Sequence, residues 1–576
     1  MAGDGGSGGS ANVGVSAGGA ADANAFRTNV EEGYVPQPTD LTYEGLFHDY
    51  YFDTGRSEPC EALFCPSYST AVARDPLSEE TERFVTVGLN SGISKADFQR
   101  KPLNLVVVVD TSGSMSEQFD EYYEAGGEQR RVEENQPKID AAGDAVVSML
   151  GRLNESDRVG VVAYDNGART VQGLQRVGET DRGDLRGELR SLRADGGTNL
   201  DAGMRRAERM LSAYANDSER ETRVVYVTDA MPNLGETDGG ALESRMRSYA
   251  DRGIHTTFVG VGVDFNSRLT ETVATVRGAN YYTVDSPAAF DERMDEGFAY
   301  MVTPLVYDLS LEVAGDGYRI ENVYGSPQAD AASAELLEVT TLFPSRREGN
   351  KTEGGVVLLE VEKTGTDPTL GVVARYEDPD GGARTVRSNV SFESSEAPYY
   401  ESSGVRKAVA LAEYGTLVRN WMAHERAGAG VESAAAPIEY REHDEQWVQS
   451  SVDLTVSAPY DRRFDRFVEY FRAEQAALGA DRMERDLTIL ERLAAADGGD
   501  EPDERTGESK PADDERRTAL AADDGGGSAS SAAVPGLLGG NLPLLGAVNL
   551  LVTLTLAAYG FGRKRGSRTG GGGQFE

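Results

Sequence analysis

The stretch Leu105–Met115, LVVVVDTSGSM, decides how the rest of the chain is read. A leucine and four consecutive valines show no polar alternation, so the segment fits a strand buried on both faces. The strand ends in Asp110 and passes into a loop of small hydroxyl-bearing residues, Thr111, Ser112 and Ser114. Three more apolar runs follow at Val159–Ala163, Val224–Thr228 and Thr256–Val261. Between and after them lie segments of helical periodicity, Ile139–Leu153, Leu200–Tyr214, Ala241–Arg252 and Ala288–Met301. Val-rich strands alternating with amphipathic helices predict an α/β domain over 101–300 with a doubly wound, mostly parallel, Rossmann-like sheet. In such sheets ligands bind outside the carboxyl ends of the strands. Asp110 falls at one such end and Asp229, in VVYVTDA, at another.

Asp110, Ser112 and Ser114 form a D-x-S-x-S pattern that offers one carboxylate and two hydroxyls from a single loop. Hard oxygen donors suit a hard divalent cation such as Mg²⁺, with Mn²⁺ and Ca²⁺ as alternatives. Three side chains are too few for six-fold coordination. Two more oxygens are expected from Thr198, in the Gly-rich loop GGTNLDAG, and from Asp229. D-x-S-x-S alone is a weak signal, because small polar residues are common in turns; its force comes from the three segments occurring in order.

Together these residues resemble the von Willebrand factor type A (VWA) domain with its metal-ion-dependent adhesion site (MIDAS). The resemblance implies that Asp110, Ser112, Ser114, Thr198 and Asp229 hold a metal, with one coordination position open to an acidic side chain of a protein partner. Ala230 departs from the family pattern, where glycine is usual, and so does the 20-residue segment 116–135, SEQFDEYYEAGGEQRRVEEN, which separates the metal loop from the first helix. It reads either as a solvated acidic loop or as a flap partly covering the site. A broader resemblance, carried by RFVTVGLNSGISKADFQRKPLNLVVVVDTSGSM and AVALAEYGTLVRNWM, is to the YfbK-like surface or lipoprotein group of VWA proteins and extends over roughly 45–490.

The flanks change character. Residues 1–40, rich in Gly, Ser and Ala, are expected to be a disordered tether. Residues 41–100 carry strands, 301–400 alternate like a β-sandwich domain, and 401–497 are helical. An acidic linker over 498–533 leads to a transmembrane segment at 534–562 and a basic tail at 563–576. The span itself, Leu542–Phe561, has no charge over 20 residues, enough for one crossing, and GRKRGSR after it predicts a cytoplasmic C-terminus with the bulk outside the cell. No export signal is visible at the N-terminus, which leaves a missing leader or a cytoplasm-facing tail anchor as alternatives.

The chain has 96 acidic against 57 basic residues, a net charge of −39, with 8 lysines among the basic ones. That balance excludes a nucleic-acid partner, which needs a basic footprint. Acidic excess with scarce lysine resembles the proteome style of salt-loving archaea. Cys60 and Cys65 could form a local disulfide in an oxidising location. Four N-x-S/T sequons, at Asn154, Asn216, Asn350 and Asn389, permit glycosylation there. The four histidines are scattered and no catalytic constellation is visible. The expected function is therefore non-enzymatic: a membrane-anchored, divalent-metal-dependent protein-binding module at the cell surface. The alternative is a cytoplasm-facing scaffold or regulator that partners a MoxR- or chelatase-type AAA+ ATPase.

Overall fold

A computed structural model describes residues 12–19, 23–56, 60–118, 121–123, 129–131, 136–229, 239–261, 273, 275–284, 287–295, 297–314, 317–326, 336–365, 369–428, 439–441, 446–448 and 452–496. The expected α/β sheet is present. Its six strands run in the order Asn280–Val284, Ile254–Val261, Glu221–Thr228, Leu103–Asp110, Arg158–Tyr164 and Ala168–Arg176. The first five are parallel and the last is antiparallel. The valine run occupies a central strand, and its two faces explain why every residue of it is apolar. Leu105, Val107 and Val109 pack with helix Lys138–Leu150 and with Phe290 and Met294. Val106 and Val108 face the other way, toward Leu200, Met204 and Leu211 of helix Leu200–Leu211 and Leu242 and Met246 of helix Gly239–Ala250.

The flanks are not arranged as the sequence suggests. Ten strands form one sheet drawn from both sides of the α/β domain. Asn12–Ala17, Cys65–Arg74 and Thr81–Ser94 come from before it; Val306–Ala314, Tyr318–Tyr324, Leu336–Ser345, Val356–Lys363, Leu370–Glu377, Ala383–Val390 and Tyr399–Tyr400 come from after it. The separate N-terminal region at 41–100 and β-sandwich domain at 301–400 are thus one unit. The sheet folds back on itself. Tyr318, on a strand at one end of the order, stacks 5.5 Å from Phe392, just past the strand at the other end. Val85, Val87, Leu309 and Val357 lie in the core it encloses.

The tether expected over 1–40 is also corrected over its described part, 12–19 and 23–40. Asn12–Ala17 is a buried strand between Thr81–Ser94 and Leu336–Ser345, and Asn24–Glu32 is a helix. Small residues there serve close packing: a Cβ added to Gly14 would lie 2.5 Å from the Thr352 methyl and 2.7 Å from the Ser345 hydroxyl. The C-terminal helices Ser403–Gly428, Ala458–Leu478 and Glu484–Ala494 share a core with this N-terminal segment. Helix Ser403–Gly428 is buried around most of its circumference and holds three buried cations that each donate to a main-chain carbonyl. Lys407 reaches Tyr51, Arg419 reaches Leu41 and Arg426 reaches Val35, at 2.7–2.9 Å.

The fold class is corrected in one further respect. No helix among the described residues is long and apolar enough to cross a membrane, so the described fold does not support the expected single C-terminal transmembrane helix. The segment expected to form it, Leu542–Phe561, lies outside the described residues, as do the linker at 498–533 and the basic tail.

Candidate metal centre

The register of three neighbouring strands builds the base of the centre. Asp110 pairs with Tyr164 on one side, and Val109 pairs with Val227 on the other, which brings Thr228 beside Asp110. The Tyr164 and Thr228 hydroxyls each donate to Asp110 Oδ2 at 2.6 Å and lie 2.8 Å apart. The Ser112 main-chain N–H donates to Oδ1 at 2.8 Å. Asp110 is 0 % exposed. Burial pushes its carboxyl above the ordinary value, and the bonds from Thr228, Tyr164 and Ser112 offset only part of that. Burial, and then the adjacent Asp110 charge, push the Tyr164 hydroxyl far up, so it stays a donor at any ordinary pH.

The loops after the strands are laced together. Asp195 donates its N–H to Thr111 O at 2.9 Å, and Gly113 donates to Gly196 O at 2.9 Å. Gly196 takes a φ of +81° and has no room for a Cβ, which would meet the Asn166 side chain at 2.7 Å. Asn199 then caps helix Leu200–Leu211 by accepting from Ala202 N–H at 3.0 Å. These bonds carry the buried Thr198 to the loop that bears Ser112 and Ser114. The Ser112 and Ser114 hydroxyls are 3.1 Å apart. Asp229 is buried beyond its strand end, and Oδ2 faces Lys138 Nζ at 3.5 Å.

Asp110, Ser112 and Ser114 are therefore in one hydrogen-bonded group, with Thr198 on a loop tied to theirs and Asp229 on the adjoining strand end. Sequence reading missed Tyr164 and Thr228, which only the strand register reveals, and Lys138 and Glu117, which meet at the base of the insertion. Ala230 lies outside the described residues. Of the insertion, Glu121–Tyr123 and Gln129–Arg131 pair as antiparallel strands. Its base is closed by pairing of Gln118 with Pro137 and by Lys138 N–H donating to Glu117 O at 2.9 Å.

The donor set fits a divalent cation on the chemistry of Asp110 itself. Among the described residues its hydrogen-bond partners are all uncharged donors, so a fully buried carboxylate lacks a positive partner at neutral pH. Such a charge is costly unless a cation or metal compensates it. Hydroxyls of Ser112 and Ser114 nearby add the hard oxygens that Mg²⁺, Mn²⁺ or Ca²⁺ prefer.

Residues 105–232 match the von Willebrand factor type A domain family. The chain thus contains a VWA domain, and all five candidate residues lie within it. The uncharacterized protein sll0103 of Synechocystis sp. is 25% identical over 190 residues, which cover 33% of this chain and 39% of that protein. The uncharacterized protein YfbK of Escherichia coli is 23% identical over 212 residues, covering 36% of this chain and 33% of that protein. The chain therefore covers well under two thirds of either relative's length. A solved von Willebrand factor type A protein from Catenulispora acidiphila aligns at 16% identity with a TM-score of 0.43, covering 82% of this chain and 98% of that one.

Proposed function

We propose that the VWA domain of this chain is a divalent-metal-dependent protein-binding module that works outside the cytoplasm and has no catalytic role. VWA domains commonly bind protein partners, and that coarser statement needs no metal. The metal dependence rests on one observation: the fully buried Asp110 carboxylate, held by uncharged donors beside two serine hydroxyls at the carboxyl edge of the sheet. Asp110, Ser112, Ser114, Thr198 and Asp229 would hold the ion. When bound, it supplies positive charge in a water-poor setting, which favours an acidic side chain from a partner. The chain's own residues do the rest. Tyr164 and Thr228 orient the Asp110 carboxylate, and the 195–198 loop fixes Thr198 by bonds to the 111–113 loop.

The Cys60–Cys65 disulfide supports the location, since such bonds persist in oxidising compartments. The test is calorimetric titration of Mg²⁺, Mn²⁺ and Ca²⁺ into wild type and Asp110→Ala. Saturable binding by wild type and none by the variant, with unchanged circular dichroism, is the expected result. Equal metal affinity in the two proteins would remove the assignment.

A further inference from the structure

We propose that Lys138 is a resident counter-ion of the centre that sets how tightly a divalent cation binds, an inference that rests on the metal reading above. Lys138 opens helix Lys138–Leu150 and is 1 % exposed. Lysine is almost never buried to that degree unless it is paired. Its Nζ lies 3.5 Å from Asp229 Oδ2 and 3.6 Å from Glu117 Oε2, and both of those carboxylates are buried. One ammonium is thus shared between a candidate metal ligand and the first acid of the insertion.

An ammonium and a divalent ion cannot hold the same carboxylate without repelling each other across a few ångströms of low-dielectric protein. Cation entry therefore requires Lys138 to give up Asp229, and Glu117 is the carboxylate positioned to keep it neutralised. Without a cation, the same lysine compensates two buried acids that would otherwise destabilise the fold. The contact sets a threshold on metal affinity. It also ties occupancy of the centre to the root of the insertion, because the Lys138 N–H is bonded to Glu117 O.

The test compares wild type, Lys138→Gln, Lys138→Arg, Glu117→Gln and Asp110→Ala in the full chain, by Mg²⁺ titration and by melting with and without Mg²⁺. Lys138→Gln is expected to bind Mg²⁺ on the order of tenfold more tightly, because the competing charge is gone. Lys138→Arg, which keeps the charge, is expected to retain wild-type affinity. Glu117→Gln is expected to weaken binding, because Lys138 then falls wholly to Asp229. Metal-free Lys138→Gln should melt lower than wild type, and saturating Mg²⁺ should close the gap. If Lys138→Gln is poorly folded, the direction of the Glu117→Gln shift decides alone. Wild-type or weaker affinity in a folded Lys138→Gln, or equal shifts in the Gln and Arg variants, overturns the role of Lys138. If wild type binds Mg²⁺ and Asp110→Ala does not, that outcome leaves the metal reading intact; absence of binding in wild type removes both.

Discussion

Asp110 and Asp486 are both 0 % exposed, and the fold treats them in opposite ways. Asp486, in helix Glu484–Ala494, accepts from Arg27 Nε at 2.8 Å and Nη2 at 3.3 Å, from the Tyr414 hydroxyl at 3.2 Å and from the Tyr50 hydroxyl. Burial pushes its carboxyl up, but the Arg27 charge and hydrogen bonds outweigh that and hold it below the ordinary value of 3.8. Asp110 also accepts from a tyrosine and from other neutral donors, yet no arginine or lysine is placed on it among the described residues, and its carboxyl is pushed up. The first carboxylate is complete and fastens the C-terminal helices to the N-terminal one. The second has no built-in positive partner among the described residues, and the cation proposed above would supply one. Burial depth alone does not separate a structural acid from a binding acid; the presence of a built-in positive partner does.

The contrast can be broken most forcefully at Asp486. Asp486→Ala leaves Arg27 buried with Asp49 as its remaining carboxylate partner and is expected to cost about 3 kcal/mol in urea unfolding, with or without Mg²⁺. Asp110→Asn should behave differently. Its metal-free stability should stay within about 1 kcal/mol of wild type, because the native site already disfavours the charge. It should instead lose the ligand-linked stabilisation, about 2.7 kcal/mol when Mg²⁺ is present at a hundred times its Kd. Equal losses at the two positions in the absence of metal would erase the distinction.

Acid titration sharpens the same point. A carboxyl lowered in the native state contributes stability that is full above its unfolded value and lost as the pH falls through its native value. Asp486→Asn should therefore flatten the urea midpoint's dependence on pH below about 4, where wild type falls steeply. The smallest expected effect concerns the insertion. Trimming 119–135 to a tight turn keeps Glu117 and Lys138, so Mg²⁺ affinity should hardly move. Partner association should quicken by a factor worth on the order of 1 kcal/mol or less if the hairpin partly covers the centre. An unchanged on-rate leaves it a solvated loop.

What was legible in the sequence was what is local. The valine run, the helical periods and the order of D-x-S-x-S, GGTN and VTD all lie within single elements, and they located the α/β domain and its carboxyl edge. Tyr164 and Thr228 were not legible, because only strand register sets them beside Asp110. Lys138 was hidden by the insertion that separates it from the metal loop. The segment around Asn12–Ala17 misled for a different reason. Its glycine, alanine and serine content signals flexibility when a chain is read alone, yet the same small residues are what a crowded strand needs where Thr352 and Ser345 press on Gly14. Composition reports how much volume a side chain takes, and both a loose tether and a tight contact ask for little.

The interleaved sheet has a consequence for synthesis. Strand Asn12–Ala17 finds one partner at Thr81–Ser94, but its other, Leu336–Ser345, leaves the ribosome only after the whole α/β domain has been made. Arg27 waits longer still, until Asp486 emerges. The α/β domain draws its parallel strands and covering helices from one continuous stretch and can close first, while the N-terminal segment stays unsatisfied around it. A stalled or truncated chain would thus display a finished binding domain on an unfinished platform, with Phe26, Val30 and Leu46 uncovered. Quality control that recognises exposed apolar surface would act on such chains by their missing C-terminal helices, however well the Asp110 centre had formed.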